Sequence, residues 1–155
     1  MRRVLFALLA AALLGAAPTP EPIGMTMLSR GKLVANWKIY PDGSIVAMTD
    51  DDRNPGDASR MVVRQTGATP GRYEAIEAML RPARAVAGRK LPCKNPMTDA
   101  PSGDVTWGKD VKLDYYGGCH EEKTRAVVDL LFKANEQVAA WTKDAPASAT
   151  VRIAQ

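Results

Sequence analysis

The chain is poor in the residues that most chemistry needs. It has one histidine and two cysteines, and aromatic residues make up only 6 % of it. Neither cysteine stands in a C-x-x-C pair, and a single histidine adds little, so a metal centre has few ligands to draw on. There is no G-x-S-x-G elbow for a serine nucleophile. Ser29, Ser44, Ser59 and Ser102 have no context that marks one as reactive. Glycine-rich phosphate loops are absent too. Lysine and arginine never form a block, which argues against a nucleic-acid partner, because such a binder shows a basic stripe interleaved with aromatic platforms. Nothing in the chain calls for a cofactor.

One long apolar run is present, Val4 to Leu14. It is far short of the ~20 residues that span a bilayer core. Arg2 and Arg3 precede it, Gly15-Ala16-Ala17 follows it, and Pro18-Thr19-Pro20-Glu21-Pro22 then stops any helix. A positive start, an apolar centre and a small-residue exit are what the secretion machinery reads, so residues 1–17 are expected to be a signal peptide. No cysteine follows the run, which excludes the bacterial lipoprotein type of processing. The protein is therefore expected in the periplasm or outside the cell, with no membrane span once the signal is removed. Without Arg2 and Arg3 the 21 basic residues fall to 19, against 17 acidic ones, so the mature chain is near +2 rather than +4.

In that compartment Cys93 and Cys119 read as a disulfide rather than as a metal pair or free thiols. Closing a loop of this length stabilises by roughly 3–4 kcal/mol in the chain-entropy description.

Residues 18–30 are expected to form a Pro-rich tether, 31–144 one domain, and 145–155 a disordered tail. Within the domain, Leu33, Ala35, Trp37 and Ile39 alternate with polar residues from Lys32 to Tyr40, the period of a strand. Pro41-Asp42-Gly43-Ser44 turns the chain into a second strand, Ser44 to Thr49. A third strand is expected over Arg60 to Thr66. Thr69-Pro70 is read as the opening of a helix with Tyr73, Ile76 and Leu80 on one stripe, which Pro82 should end or kink. Short strands follow at Val105 to Gly108 and Val111 to Tyr116. The closing helix runs from about Glu121 to Lys143, with Val127, Leu131, Ala134, Val138 and Trp141 as its apolar stripe. Tight hairpins and few β–α alternations point to an α+β fold: an antiparallel sheet of about five strands with two main helices packed on one face.

Several residues are candidates for function. His120 follows Cys119 and precedes Glu121-Glu122 at a helix start, where a neutral imidazole could serve as a general base. Asp99 is a second carboxylate that such a site could use. Tyr115 and Tyr116 are strand neighbours and must point to opposite faces, so one of them, Tyr116, is a candidate for a contact surface. The aromatic residues could line a ligand groove, although in so small a domain the tryptophans belong in the core. Asp50, Asp52 and Asn54 match only part of a calcium loop, because Pro55 and Met61 stand where that loop needs Gly and Glu.

Taken together, Tyr40-Pro41-Asp42-Gly43-Ser44-Ile45-Val46, the Tyr73 helix, Thr98-Asp99-Ala100-Pro101 and Leu113-Asp114-Tyr115-Tyr116-Gly117 resemble an uncharacterised family of small exported bacterial α+β domains. The resemblance covers roughly Asn36 to Trp141. It implies a fold and a compartment, but no activity and no catalytic residues. Its members place their cysteines nearer the first strand, so the Cys93–Cys119 pairing rests on the compartment alone.

These features point to an exported, non-enzymatic module that binds a protein or an envelope component. A sharper form is an inhibitor of a secreted hydrolase, acting through Asp50–Asp57 or Lys94–Asp104. The rival is a small hydrolase-like enzyme using His120 with Glu121, Glu122 or Asp99. A small-ligand carrier is a third class, but it needs a cavity that few spare aliphatic residues remain to line.

Overall fold

The computed structural model describes residues 19–50 and 60–152. The expected signal peptide and most of the acidic Asp50–Asp57 loop lie outside these residues. The elements are β1 (Ile23–Ser29), β2 (Lys32–Ile39), β3 (Ile45–Asp50), β4 (Arg60–Thr66), α1 (Arg72–Arg84), β5 (Ser102–Trp107), β6 (Val111–Tyr116), α2 (Glu122–Thr142) and β7 (Ala147–Arg152). The fold is α+β, with two helices on an antiparallel sheet, but the sheet has seven strands rather than five, in the order β6-β5-β1-β2-β3-β4-β7.

The two additional strands overturn two expectations. Residues 23–29 are not part of a tether: β1 lies inside the sheet, paired with β2 on one side and β5 on the other. Its alternation of Ile23, Met25 and Met27 is a strand signal that the neighbouring prolines and Gly24 mask. Residues 147–152 are not part of a disordered tail: β7 pairs with β4 at the sheet edge. Its exposed side chains, small from Ala147 to Thr150, carry no periodic signal, and the ladder to β4 supplies the reason it is a strand.

Register puts one apolar face under the helices. Trp107, Ile23, Ile39 and Ile45 form one cross-strand row, and Leu113, Val105, Met25, Trp37 and Ala47 form the next. All of these are buried. The helices cover them with Tyr73, Ile76, Leu80 and Ala83 from α1, and with Val127, Val128, Leu131, Ala134 and Val138 from α2. These spacings of three and four place each set on one helical stripe. Trp37 and Trp107 are thus core residues. Trp141 is partly buried at the end of α2, with the Arg72 guanidinium 5.4 Å from its ring centre. Polar links also tie sheet to helix: Trp37 Nε1 donates to Asn135 Oδ1 at 3.1 Å, and the Arg72 guanidinium donates to Thr66 Oγ1 at 3.2 Å.

α1 begins later than its sequence suggests. Gly71, with φ 85°, occupies the N-cap, and no side chain caps the helix. Thr69 instead packs its backbone against the β2–β3 turn, donating its N–H to the Asp42 carbonyl at 3.1 Å. Pro82 lies inside the helix, not at its end. The helix runs two residues past it to Arg84, with the proline's own N–H bond forfeited.

The connections cross the whole sheet. α2 leaves the β6 edge and delivers the chain to β7 at the other edge. Its 21 residues reach about 31 Å at 1.5 Å each. Six strand spacings of ~4.8 Å amount to about 29 Å, so the helix is as long as the sheet is wide.

Candidate functional site

The segment between α1 and β5 leaves the helix through Gly88, whose N–H bonds the Lys112 carbonyl at 2.8 Å. From Cys93 to Pro101 it has no regular structure, yet it is tied repeatedly to residues 116–124. Cys93 and Cys119 form the expected disulfide, with Cα atoms 5.1 Å apart. Thr124, at the start of α2, donates its hydroxyl to the Pro92 carbonyl at 2.7 Å. The Lys94 N–H donates to Glu121 Oε1 at 2.5 Å. The Met97 N–H donates to the Gly118 carbonyl at 2.8 Å, and the Gly117 N–H to the Pro101 carbonyl at 2.7 Å. Tyr116 donates its hydroxyl to the Met97 carbonyl at 2.5 Å. A loop whose backbone groups are satisfied in this way is held in one conformation without a hydrophobic core of its own.

Close approach makes this possible. A Cβ on Gly118 would lie 2.5 Å from the Met97 oxygen and 2.7 Å from the Tyr116 ring. Only glycine lets the two segments meet there.

What the loop displays is Met97, 56 % exposed and the most exposed large hydrophobic side chain among the described residues. Lys94, Asn95, Pro96, Thr98 and Asp99 around it are exposed. Asp99 has φ 62°, the left-handed conformation that Asp tolerates better than most residues. Behind the loop lies a cleft of about 410 Å³ bordered by Arg89, Lys90, Lys112, Asp114, Tyr116 and the two cysteines. Lys112 pairs with Asp114 at 2.9 Å, and this hydrogen bond, together with Asp104 nearby, raises its pKa.

A second cavity of about 600 Å³ lies between the Thr19–Pro22 segment, α1 and Trp107. The Tyr73 hydroxyl donates to the Glu21 carbonyl at 2.7 Å across it. Burial, with Glu77 adding to it, raises the Tyr73 pKa. Trp107 Nε1 is buried with no hydrogen-bond partner among the described residues.

The candidate residues are distributed as follows. Tyr116 points away from the core and Tyr115 into it, as strand alternation requires; Tyr115 meets Phe132 edge to face at 6.2 Å. Tyr116 and Asp99 meet at the loop, one as a backbone anchor and one on its exposed tip. His120 is exposed and borders neither cavity. Glu121, its proposed carboxylate partner, is engaged by the Lys94 N–H, which holds its pKa below the usual 4.5. The sequence reading missed Met97 and Gly118. Their importance comes from contacts made some twenty residues along the chain, and only the three prolines and the cysteine of this segment hinted that it was rigid.

Fold and site define a seven-stranded antiparallel α+β domain that carries one disulfide-tethered display loop. Comparison with protein-family models, with curated proteins and with solved structures returned no match. No helix among the described residues is long and apolar enough to cross a membrane.

Proposed function

We propose that the protein is an exported, non-enzymatic binding module that docks a protein partner through residues 94–101, with Met97 at the centre of the contact. The observation that carries this reading is the combination of a large apolar side chain, 56 % exposed, with a backbone locked on both sides of it. Preordering removes most of the loop entropy that binding would otherwise cost. Methionine's unbranched, polarisable chain adapts to an apolar pocket. Seating its exposed part there contributes about 1–2 kcal/mol, roughly tenfold in affinity.

The loop also limits how the partner engages. Both main-chain groups of Met97 are already bonded, the N–H to Gly118 and the carbonyl to Tyr116. A protease cleft that pairs with a substrate's backbone would find the Met97 N–H committed and its carbonyl already accepting one hydrogen bond. If the partner is a secreted hydrolase, it is blocked by insertion of the Met97 side chain, not by mimicry of a bound substrate. Export is supported by the N-terminal pattern and by the bridge.

The test is retention of a partner from a periplasmic extract on immobilised mature protein. Wild type and Lys109→Ala, altered in the β5–β6 turn, should retain the same species. Met97→Asp should lose it. Equal retention by Met97→Asp removes Met97, and with it this reading.

A further inference from the structure

The bridge has a third group beside it. Sulfur atoms of Cys93 and Cys119 and a carboxylate oxygen of Glu121 all lie within 4.8 Å of one another. We propose that, once the bridge is reduced, the two thiolates and the Glu121 carboxylate form a site for Zn²⁺ or a similar borderline divalent cation, which then holds the loop in place of the covalent bond.

Geometry supports this first. Zn–S bonds of ~2.3 Å and Zn–O bonds of ~2.1 Å place ligand atoms of a tetrahedral site about 3.4–3.8 Å apart. Once the bond is broken, side-chain rotation can bring the sulfurs to that separation, because the Cα atoms are 5.1 Å apart. The carboxylate is already within range.

A second, independent observation is Glu121 itself. Its Oε1 accepts the Lys94 N–H. Its Oε2 is buried and has no hydrogen-bond partner among the described residues. The Lys94 N–H already favours the ionised carboxylate, and its second oxygen is left free to take a cation beside the two sulfurs. Two thiolates with one carboxylate suit zinc and exclude calcium and magnesium, which take all-oxygen sites. α2 begins three residues beyond Cys119, and its positive end favours the thiolate form. Both cysteines border the cleft, which gives water and the ion a way in.

The chemistry balances with one co-reactant. A dithiol delivers two electrons and two protons to the S–S bond and becomes a cyclic disulfide, leaving Cys93 and Cys119 as thiols. Metal binding then releases the two thiol protons to water.

This inference does not depend on the docking reading, and its test involves no partner. The mature protein is reduced with a water-soluble phosphine under anaerobic conditions and titrated with Co²⁺. The expected result is a thiolate-to-cobalt charge-transfer band and the visible bands of a tetrahedral site, saturating at one equivalent, bleached by one equivalent of Zn²⁺, and absent from the oxidised protein. Glu121→Gln keeps both cysteines and should bind Co²⁺ at least about tenfold more weakly, no less than the loss caused by removing an outer-shell partner. No charge-transfer band, or equal affinity in Glu121→Gln, overturns the proposal.

Discussion

Gly118→Ala is the sharpest test of the tethered loop, because two effects of opposite sign compete there. In most exposed turns an added methyl stabilises by about 0.4–1 kcal/mol by restricting the unfolded chain. Gly118 does not have a positive φ, so its backbone conformation is open to alanine and only space is at issue. The new Cβ would stand 2.5 Å from the Met97 oxygen and 2.7 Å from the Tyr116 ring, closer than nonbonded atoms allow. The loop must retreat, and it then loses the Met97–Gly118 and Tyr116–Met97 hydrogen bonds. At about 1 kcal/mol each these are worth about 2 kcal/mol. The balance is a net loss of about 1–1.5 kcal/mol. Urea unfolding measures the net change, and amide exchange at Met97 locates it. A variant that gains stability while its Met97 amide stays protected would show that the loop is not pinned at this point.

Two other outcomes follow from the same site. Replacing both cysteines by serine should cost about 3.5 kcal/mol in the chain-entropy description for a bridge of this span, read as a lower midpoint in guanidinium chloride; a change under about 1 kcal/mol would mean that the hydrogen bonds alone order the loop. Glu121 has its pKa lowered by the Lys94 N–H, so its contribution is complete above the ordinary value of 4.5 and is lost as pH falls through the depressed value. The protection factor of the Lys94 amide, taken relative to intrinsic exchange at each pH, should therefore fall in that acid window in the wild type, while Glu121→Gln shows no such acid transition; parallel behaviour of the two would disprove the link.

Much of the sheet is legible where local chemistry and tertiary demand agree. β4 and β6 occupy the residues their alternation indicates, and the Asp42-Gly43 turn joins β2 to β3 because Gly43 accepts φ 80°. The disulfide follows from an even cysteine count and the expected export of the chain. Elements whose structure depends on a distant partner are the ones that escape. β7 has no apolar period, and it is a strand because β4 offers an open edge. The helix start moves from Thr69 to Arg72 because Thr69 is drawn to the turn at Asp42. Met97 carries no signal of its own: whether a loop methionine is buried or displayed depends on where Tyr116 and Gly118 hold the backbone.

The place of β1 has a consequence for how the chain folds. β1 comes first along the chain among the described strands yet lies inside the sheet, and its two neighbours arrive at very different times. β2 follows after a two-residue turn, whereas Ile23 must wait for Trp107, more than eighty residues later. Until then the β1–β4 meander stands with an unpaired edge and an uncovered apolar face, the conditions under which chains associate wrongly. Closing so long a loop slows folding. The rate-limiting event should be the arrival of β5 against β1, so substitutions along that ladder, such as at Met25 or Val105, should slow refolding more than substitutions of equal cost in the β2–β3 hairpin.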